Sequence, residues 1–209
     1  MSKVQFKGFE TDNKIINKTK TKDDIHDKLK KLISEMTEET KFKFWIKTLL
    51  SSYGIFPEII KTVDKIIELQ ASTISFTDVY NSKNSTLGQM ERVIDLSERK
   101  NSLVNIYLMT KDMFNGITNE NLELLEKRYC LGFSIEEISK EYDISTRTTY
   151  RRIEKIINEI FNYCKNKNWS LRLIESQIKN EGWIFDRYYK NISDYLKNSN
   201  NFSLNEKCQ

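Results

Sequence analysis

The sequence predicts an all-α chain: a helical body, then a helix–turn–helix, then a C-terminal helical hairpin. Three observations carry this. Apolar residues recur at helical spacing along most of the 209 residues, one proline leaves long helices unbroken, and charged side chains at 31% supply wide solvated faces. Leu, Ile, Val and Phe together number 58, or 28% of the chain, above the roughly 20% below which chains stay disordered.

Residues 1–22 are polar and dotted with lysine, with Phe6 and Phe9 as aromatic anchors; they read as an N-terminal tail. The helical body is expected over 23–116. From Asp24, Ile25, Leu29, Leu32, Ile33 and Met36 trace a helical stripe. Phe42, Phe44, Trp45, Ile46, Leu49 and Leu50 form a second apolar stretch that stops at Tyr53–Gly54. Pro57 suits the first turn of the next helix, whose buried face is Ile59, Ile60, Val63, Ile66, Ile67 and Leu69. Residues 71–76 lean towards strand, and 77–85 read as a loop from their Asp, Asn and Ser content. A long helix follows from Thr86 to about Phe114, with a seam of Leu87, Met90, Val93, Ile94, Val104 and Leu108 interrupted by Ser97 and Asn101. Such a seam asks for a partner helix, from this chain or from a second copy.

The helix–turn–helix falls within 117–168. Thr118 is placed to cap a helix carrying Leu122, Leu125 and Tyr129, with Gly132 as its left-handed end. Ser134 and Glu137 have the spacing of a capping box, opening a short helix whose inner residues are Ile135, Ile138 and Tyr142. Asp143 occupies the tight turn, where a left-handed backbone suits Asp; Ile144 plugs the corner and Ser145 caps a longer helix to about Cys164. On a wheel, Thr149, Ile153, Ile156 and Ile160 share one arc, while Arg147, Arg151, Lys155 and Asn158 lie opposite. Glu154 shares the polar face, with Tyr150 and Arg152 at its borders.

Such a motif presents its second helix to the major groove. The chain holds eight arginines, and three of them fall within residues 147–152. The guanidinium fork pairs bidentately with guanine or phosphate, which the lysine ammonium cannot do. The arginine cluster therefore coincides with the caps, the turn and the core arc in the order DNA contact requires.

Two blocks then carry a resemblance. Arg128-Tyr129, Gly132, Ser134 and Glu137-Ile138 form the first; Ile144-Ser145, Arg147-Thr148 and Tyr150-Arg151-Arg152-Ile153 form the second. Together they resemble the region 4 helix–turn–helix of sigma-70-type factors, and of phage-associated late-gene regulators that reuse the module, over about 50 residues. The resemblance implies that Ser145, Thr146, Arg147, Thr148, Tyr150, Arg151, Arg152 and Lys155 read or grip DNA. It implies that Arg128, Ser134, Glu137, Ile138, Ile144 and Ile153 hold the motif together, with Arg128 near Glu137 as a stabilising pair or a phosphate contact. Ser139 and Thr149 depart from the family pattern, which favours alanine and valine there. Phe42, Phe44 and Trp45 read as core rather than as the promoter-opening aromatics of a region 2.

Residues 169–197 are expected to form the C-terminal extension, with one helix on Leu171, Leu173, Ile174 and Ile178 and a second from Trp183 to Leu196. The aromatics Trp183, Phe185, Tyr188, Tyr189 and Tyr195 suit packing or a dimer interface, with stacking on unpaired bases the alternative. Residues 198–209 read as a polar tail.

The inventory excludes several classes. There is no glycine-rich phosphate loop, and His26 is the only histidine. Cys130, Cys164 and Cys208 are widely spaced, which suits reduced thiols in a cytoplasm. No apolar run approaches the ~18 residues of a membrane span, and the N-terminus leads into no signal core. The expectation is a non-enzymatic, sigma-like transcription regulator in the cytoplasm, with no metal and no cofactor. Its partners are double-stranded DNA and RNA polymerase core, with a homodimer through 24–116 or 169–197 as a further arrangement. A repressor without polymerase contact and a helical protein-interaction module remain the alternatives.

Overall fold

The computed structural model describes residues 31, 33–77 and 86–205, and every regular element among them is helical. The elements in order are α1 (Glu38–Ser52), α2 (Phe56–Thr77), α3 (Thr86–Asp112), α4 (Asn119–Leu125), α5 (Ile135–Glu141), α6 (Thr146–Asn166), α7 (Leu171–Ile178) and α8 (Gly182–Asn205). The expected tail at 1–22, the first turns of the helix from Asp24, and residues 78–85 of the expected loop lie outside the described residues.

The chain divides into two compact units: Phe42–Asn191, and the residues flanking it. In the flanking unit, residues 33–35 are helical, and the Met36 amide donates to the Ile33 carbonyl at 3.2 Å. Thr37 then starts α1, its hydroxyl accepting from the Thr40 amide at 3.2 Å.

The Phe42–Asn191 unit is built around α1 and α3. Trp45, Ile46, Leu49 and Leu50 of α1 are fully buried. Trp45 stacks on Tyr188 at 4.1 Å between ring centroids and meets Phe185 edge-on at 5.3 Å. Phe56, at the start of α2, packs edge-on against Trp183. Phe42, Phe44 and Trp45 are buried as expected, and Trp183, Phe185 and Tyr188 pack against Trp45 and Phe56, whereas Tyr195 of the same expected set is 53% exposed. A bidentate pair between Arg99 of α3 and the buried Glu181, at 2.6 and 3.0 Å, fixes the turn between α7 and α8. The Trp183 indole donates to the same carboxylate at 2.8 Å. With both oxygens satisfied, the buried charge is tolerated.

Three local expectations are corrected. Residues 71–76 are helical, since α2 runs unbroken to Thr77; a helix already nucleated on its Ile/Val stripe overrides weak β propensity. The seam foreseen on α3 faces solvent at Leu87, Met90, Ile94 and Leu108, which are 52–67% exposed, while Leu103, Ile106, Thr110 and Met113 are buried. The long helix becomes a 3₁₀ turn at Met113–Gly116. At the other end of the chain α8 continues to Asn205, so residues 198–205 extend that helix rather than beginning a tail.

The helix–turn–helix is not set apart from this core. The Met113–Gly116 turn packs on α6, α4 packs on α6, and α7 packs on α3. The borders expected at 117 and 169 thus fall inside one unit. Among the described residues no helix is long and apolar enough to cross a membrane.

Candidate nucleic-acid interface

The motif is assembled by local chemistry that the sequence spells out. Ser134 forms a complete capping box: its hydroxyl accepts from the Glu137 amide at 3.1 Å, and its own amide donates to Glu137 Oε2 at 2.7 Å. The Ser134 backbone amide first, and then the Ser134 side chain, favour the charged carboxylate and hold Glu137 below the usual carboxylate range. Asp143 takes the left-handed conformation at φ 50°, and the Ile144 amide closes the turn on the Ser139 carbonyl at 3.0 Å. Ser145 caps α6 by accepting from the Thr148 amide at 3.1 Å. Ile138 and Ile153 are buried between the two helices, and Ile144 is half-buried at the corner.

The two departures from the family pattern meet. Ser139 Oγ and Thr149 Oγ1 are 2.9 Å apart in the buried α5–α6 contact. Ser139 Oγ lies 2.6 Å from the Ile135 carbonyl and Thr149 Oγ1 3.2 Å from the Ser145 carbonyl, so with one proton each the two hydroxyls divide their donations between these carbonyls and the contact they share.

The helix before the motif ends differently from expectation. Thr118 stands at the cap of α4 without a side-chain hydrogen bond. After Leu125 the chain widens into a π turn, Glu126–Cys130, closed by Leu131 donating to the Glu126 carbonyl at 2.9 Å. Gly132 follows at φ 77°, the left-handed end foreseen. Arg128 does not pair with Glu137. Its Nη1 donates to the Phe133 carbonyl at 2.8 Å, because the π turn swings it towards the loop it braces.

On α6 the charges sort into two groups. Arg152 is half-buried; it pairs with Glu120 of α4 and lies 6.0 Å from the Tyr142 ring centroid. Glu154 pairs with Lys47 of α1 at 2.5 Å. These two partners close off the flanks of the helix. Between them Arg147, Thr148, Arg151 and Lys155 are exposed, together with Ser145, Thr146 and Tyr150 at the N-terminal end. Among the described residues no ion pair engages Arg147, Arg151 or Lys155. Behind this face Thr149, Ile153, Ile156, Ile157, Ile160 and Cys164 are buried. Lys127, by contrast, is committed inside the motif to Glu123 at 2.8 Å and Glu141 at 2.5 Å, which raises its pKa.

Sequence reasoning missed Lys47, Glu120 and Tyr142 as neighbours of α6. No spacing rule reaches Lys47, which lies 107 residues from Glu154. Among the described residues no group of His, Cys, Asp and Glu is arranged to hold a metal ion.

Comparison with known proteins places the resemblance. Residues 81–163 match the family model described as ECF sigma factor, a span that contains α3 to α5 and most of α6. No curated protein and no solved structure matches the chain.

Proposed function

We propose, from the premise that residues 81–163 are the sigma-like part of a transcription regulator, that the chain recognises promoter DNA through the exposed face of α6. The single observation that carries this reading is the sorting of charge on that helix. Arg152 and Glu154 are paired off at the flanks, and Arg147, Arg151 and Lys155 are left exposed between them.

In this mechanism the first turn of α6, with Ser145, Thr146, Arg147 and Thr148, meets the base edges of the major groove. Arg147 and Arg151 have the fork geometry for guanine or phosphate, and Lys155 supplies a point charge to the backbone. Recruitment of RNA polymerase core is the second half of the reading. The solvent-facing stripe Leu87, Met90, Ile94 and Leu108 supports a partner for the body, because apolar surface of this kind marks interaction sites.

Selection from a random duplex pool at two salt concentrations tests DNA recognition. An enriched motif with a steep salt dependence is expected. Arg147→Ala and Arg151→Ala should each lose about 1–3 kcal/mol of specific binding, and Lys155→Ala should reduce the salt slope by about one. Unchanged affinity in all three variants would reject the assignment. Transcription in vitro with core polymerase separates a sigma-like regulator from a site-specific binder that acts without polymerase.

A further inference from the structure

Glu154 is the only acidic residue between Ser145 and Lys155, and its place on α6 is unfavourable for reading DNA. It follows Arg151 by three residues, a spacing at which side chains on a helix surface meet. Left alone, its carboxylate would draw the Arg151 guanidinium off a base edge and face the phosphates of a docked duplex.

Lys47 is the partner this carboxylate has instead. Its Nζ is 2.5 Å from Glu154 Oε1, on the flank of α6 away from Arg152. The lysine side chain is 17% exposed against 49% for the glutamate, and its ammonium lies 5.5 Å from the Phe44 ring centroid. Lys47 is therefore the anchored partner, and Glu154 the one that is held. The contact does not stand alone: Phe42 meets the Phe161 ring edge-on at 5.5 Å, and the Lys43 ammonium lies 5.3 Å from the same ring. Packing thus seats α1 against this side of α6 independently of the ion pair.

We infer that Lys47 is a positioning residue for DNA recognition: it neutralises Glu154 and holds it away from Arg151, keeping that guanidinium available to the duplex. The inference rests on the DNA-binding reading above. It differs from a plain stabilising role because an ion pair with one half-exposed partner contributes little to folding. Its removal should be felt in DNA binding far more than in the thermal midpoint.

The test measures affinity of the full chain for a selected duplex over a range of salt, using K47M, E154Q, the K47M/E154Q double variant and Lys47→Arg. K47M should bind about 3–10-fold more weakly at low salt, with the deficit shrinking as salt rises. E154Q should bind at least as well as the unaltered chain. The double variant should return to within about 2-fold of E154Q, since with no carboxylate to restrain the lysine has nothing to do. Lys47→Arg should retain binding. Base preference at the position read by Arg151 should relax in K47M and recover in the double variant. Far-UV dichroism checks folding, and K47Q replaces K47M should the latter be unfolded. Binding by K47M equal to that of the unaltered chain overturns the inference. So does a double variant as weak as K47M, which would make Lys47 a direct DNA contact or a fold determinant. Failure of the unaltered chain and E154Q to bind any duplex would instead overturn the DNA-binding reading itself.

Discussion

The Ser139 and Thr149 hydroxyls illustrate how side chains that look unrelated in a sequence acquire a joint meaning. Each stands where the family pattern has an apolar residue, and nothing in their ten-residue separation pairs them. Folded, they share a buried hydrogen bond of 2.9 Å. Ser139→Ala or Thr149→Val alone removes that bond, and the remaining hydroxyl can still turn its proton to the carbonyl of its own helix, so a loss of about 0.5–1.5 kcal/mol is expected. The double variant should lose less than the sum of the two, with a coupling of about 0.5–1 kcal/mol in a urea-denaturation cycle. Strict additivity would deny the bond. At this scale the sequence was legible wherever chemistry is local: the Ser134–Glu137 capping box, the Asp143 turn and the Ser145 cap all follow from neighbours five residues apart or fewer. It was not legible for Arg128, whose direction is set by a π turn with no distinct residue signature.

Helices are where periodicity succeeds and where it misleads. The α6 core arc was readable because its apolar residues occupy one side only. α3 defeated the same reasoning because it is apolar on two sides. Leu103 and Ile106 face the interior while Leu87, Met90, Ile94 and Leu108 face water, and a wheel alone cannot rank two stripes. Stability measurements can. Ile106→Ala should cost about 2–5 kcal/mol, as expected for a fully buried side chain. Ile94→Ser should stay within about 0.5 kcal/mol of the unaltered chain, being 57% exposed. Chemical denaturation of the two variants, with equal losses in both, would refute the burial assignment. The run at residues 71–76 failed for a related reason, since local preference was weaker than continuation of the helix preceding it.

Across the whole molecule, ionisable groups and shared packing set the response to conditions. Asp112 is held below the usual carboxylate range first by Asn115, at 2.8 Å, and then by the Tyr163 hydroxyl and Lys167. Glu123 is held down by Lys127, and Glu137 by Ser134. A carboxyl with a depressed folded-state pKa contributes stability that is present above its unfolded value, about 4, and is lost as the pH falls through the folded value. The thermal midpoint should therefore fall on acidification below about pH 4.5. A midpoint that rises with acid would contradict this, and Glu137→Gln should flatten part of the slope. The charge partners behind these shifts were partly readable, as with Lys127 four residues after Glu123, and partly hidden, as with Tyr163 51 residues from Asp112.

The seating of α6 against Met113–Gly116, Phe42 and Asp112 has a practical corollary. Residues 117–168 are expected to behave poorly as a cassette cut out or grafted. A fragment of that span would carry Phe161 and Tyr163 without the groups they lean on, and should melt well below the full chain when its ellipticity is followed on heating. On the proposed reading, target preference would be altered by substituting Arg147 and Arg151 in place rather than by transplanting the helix that bears them.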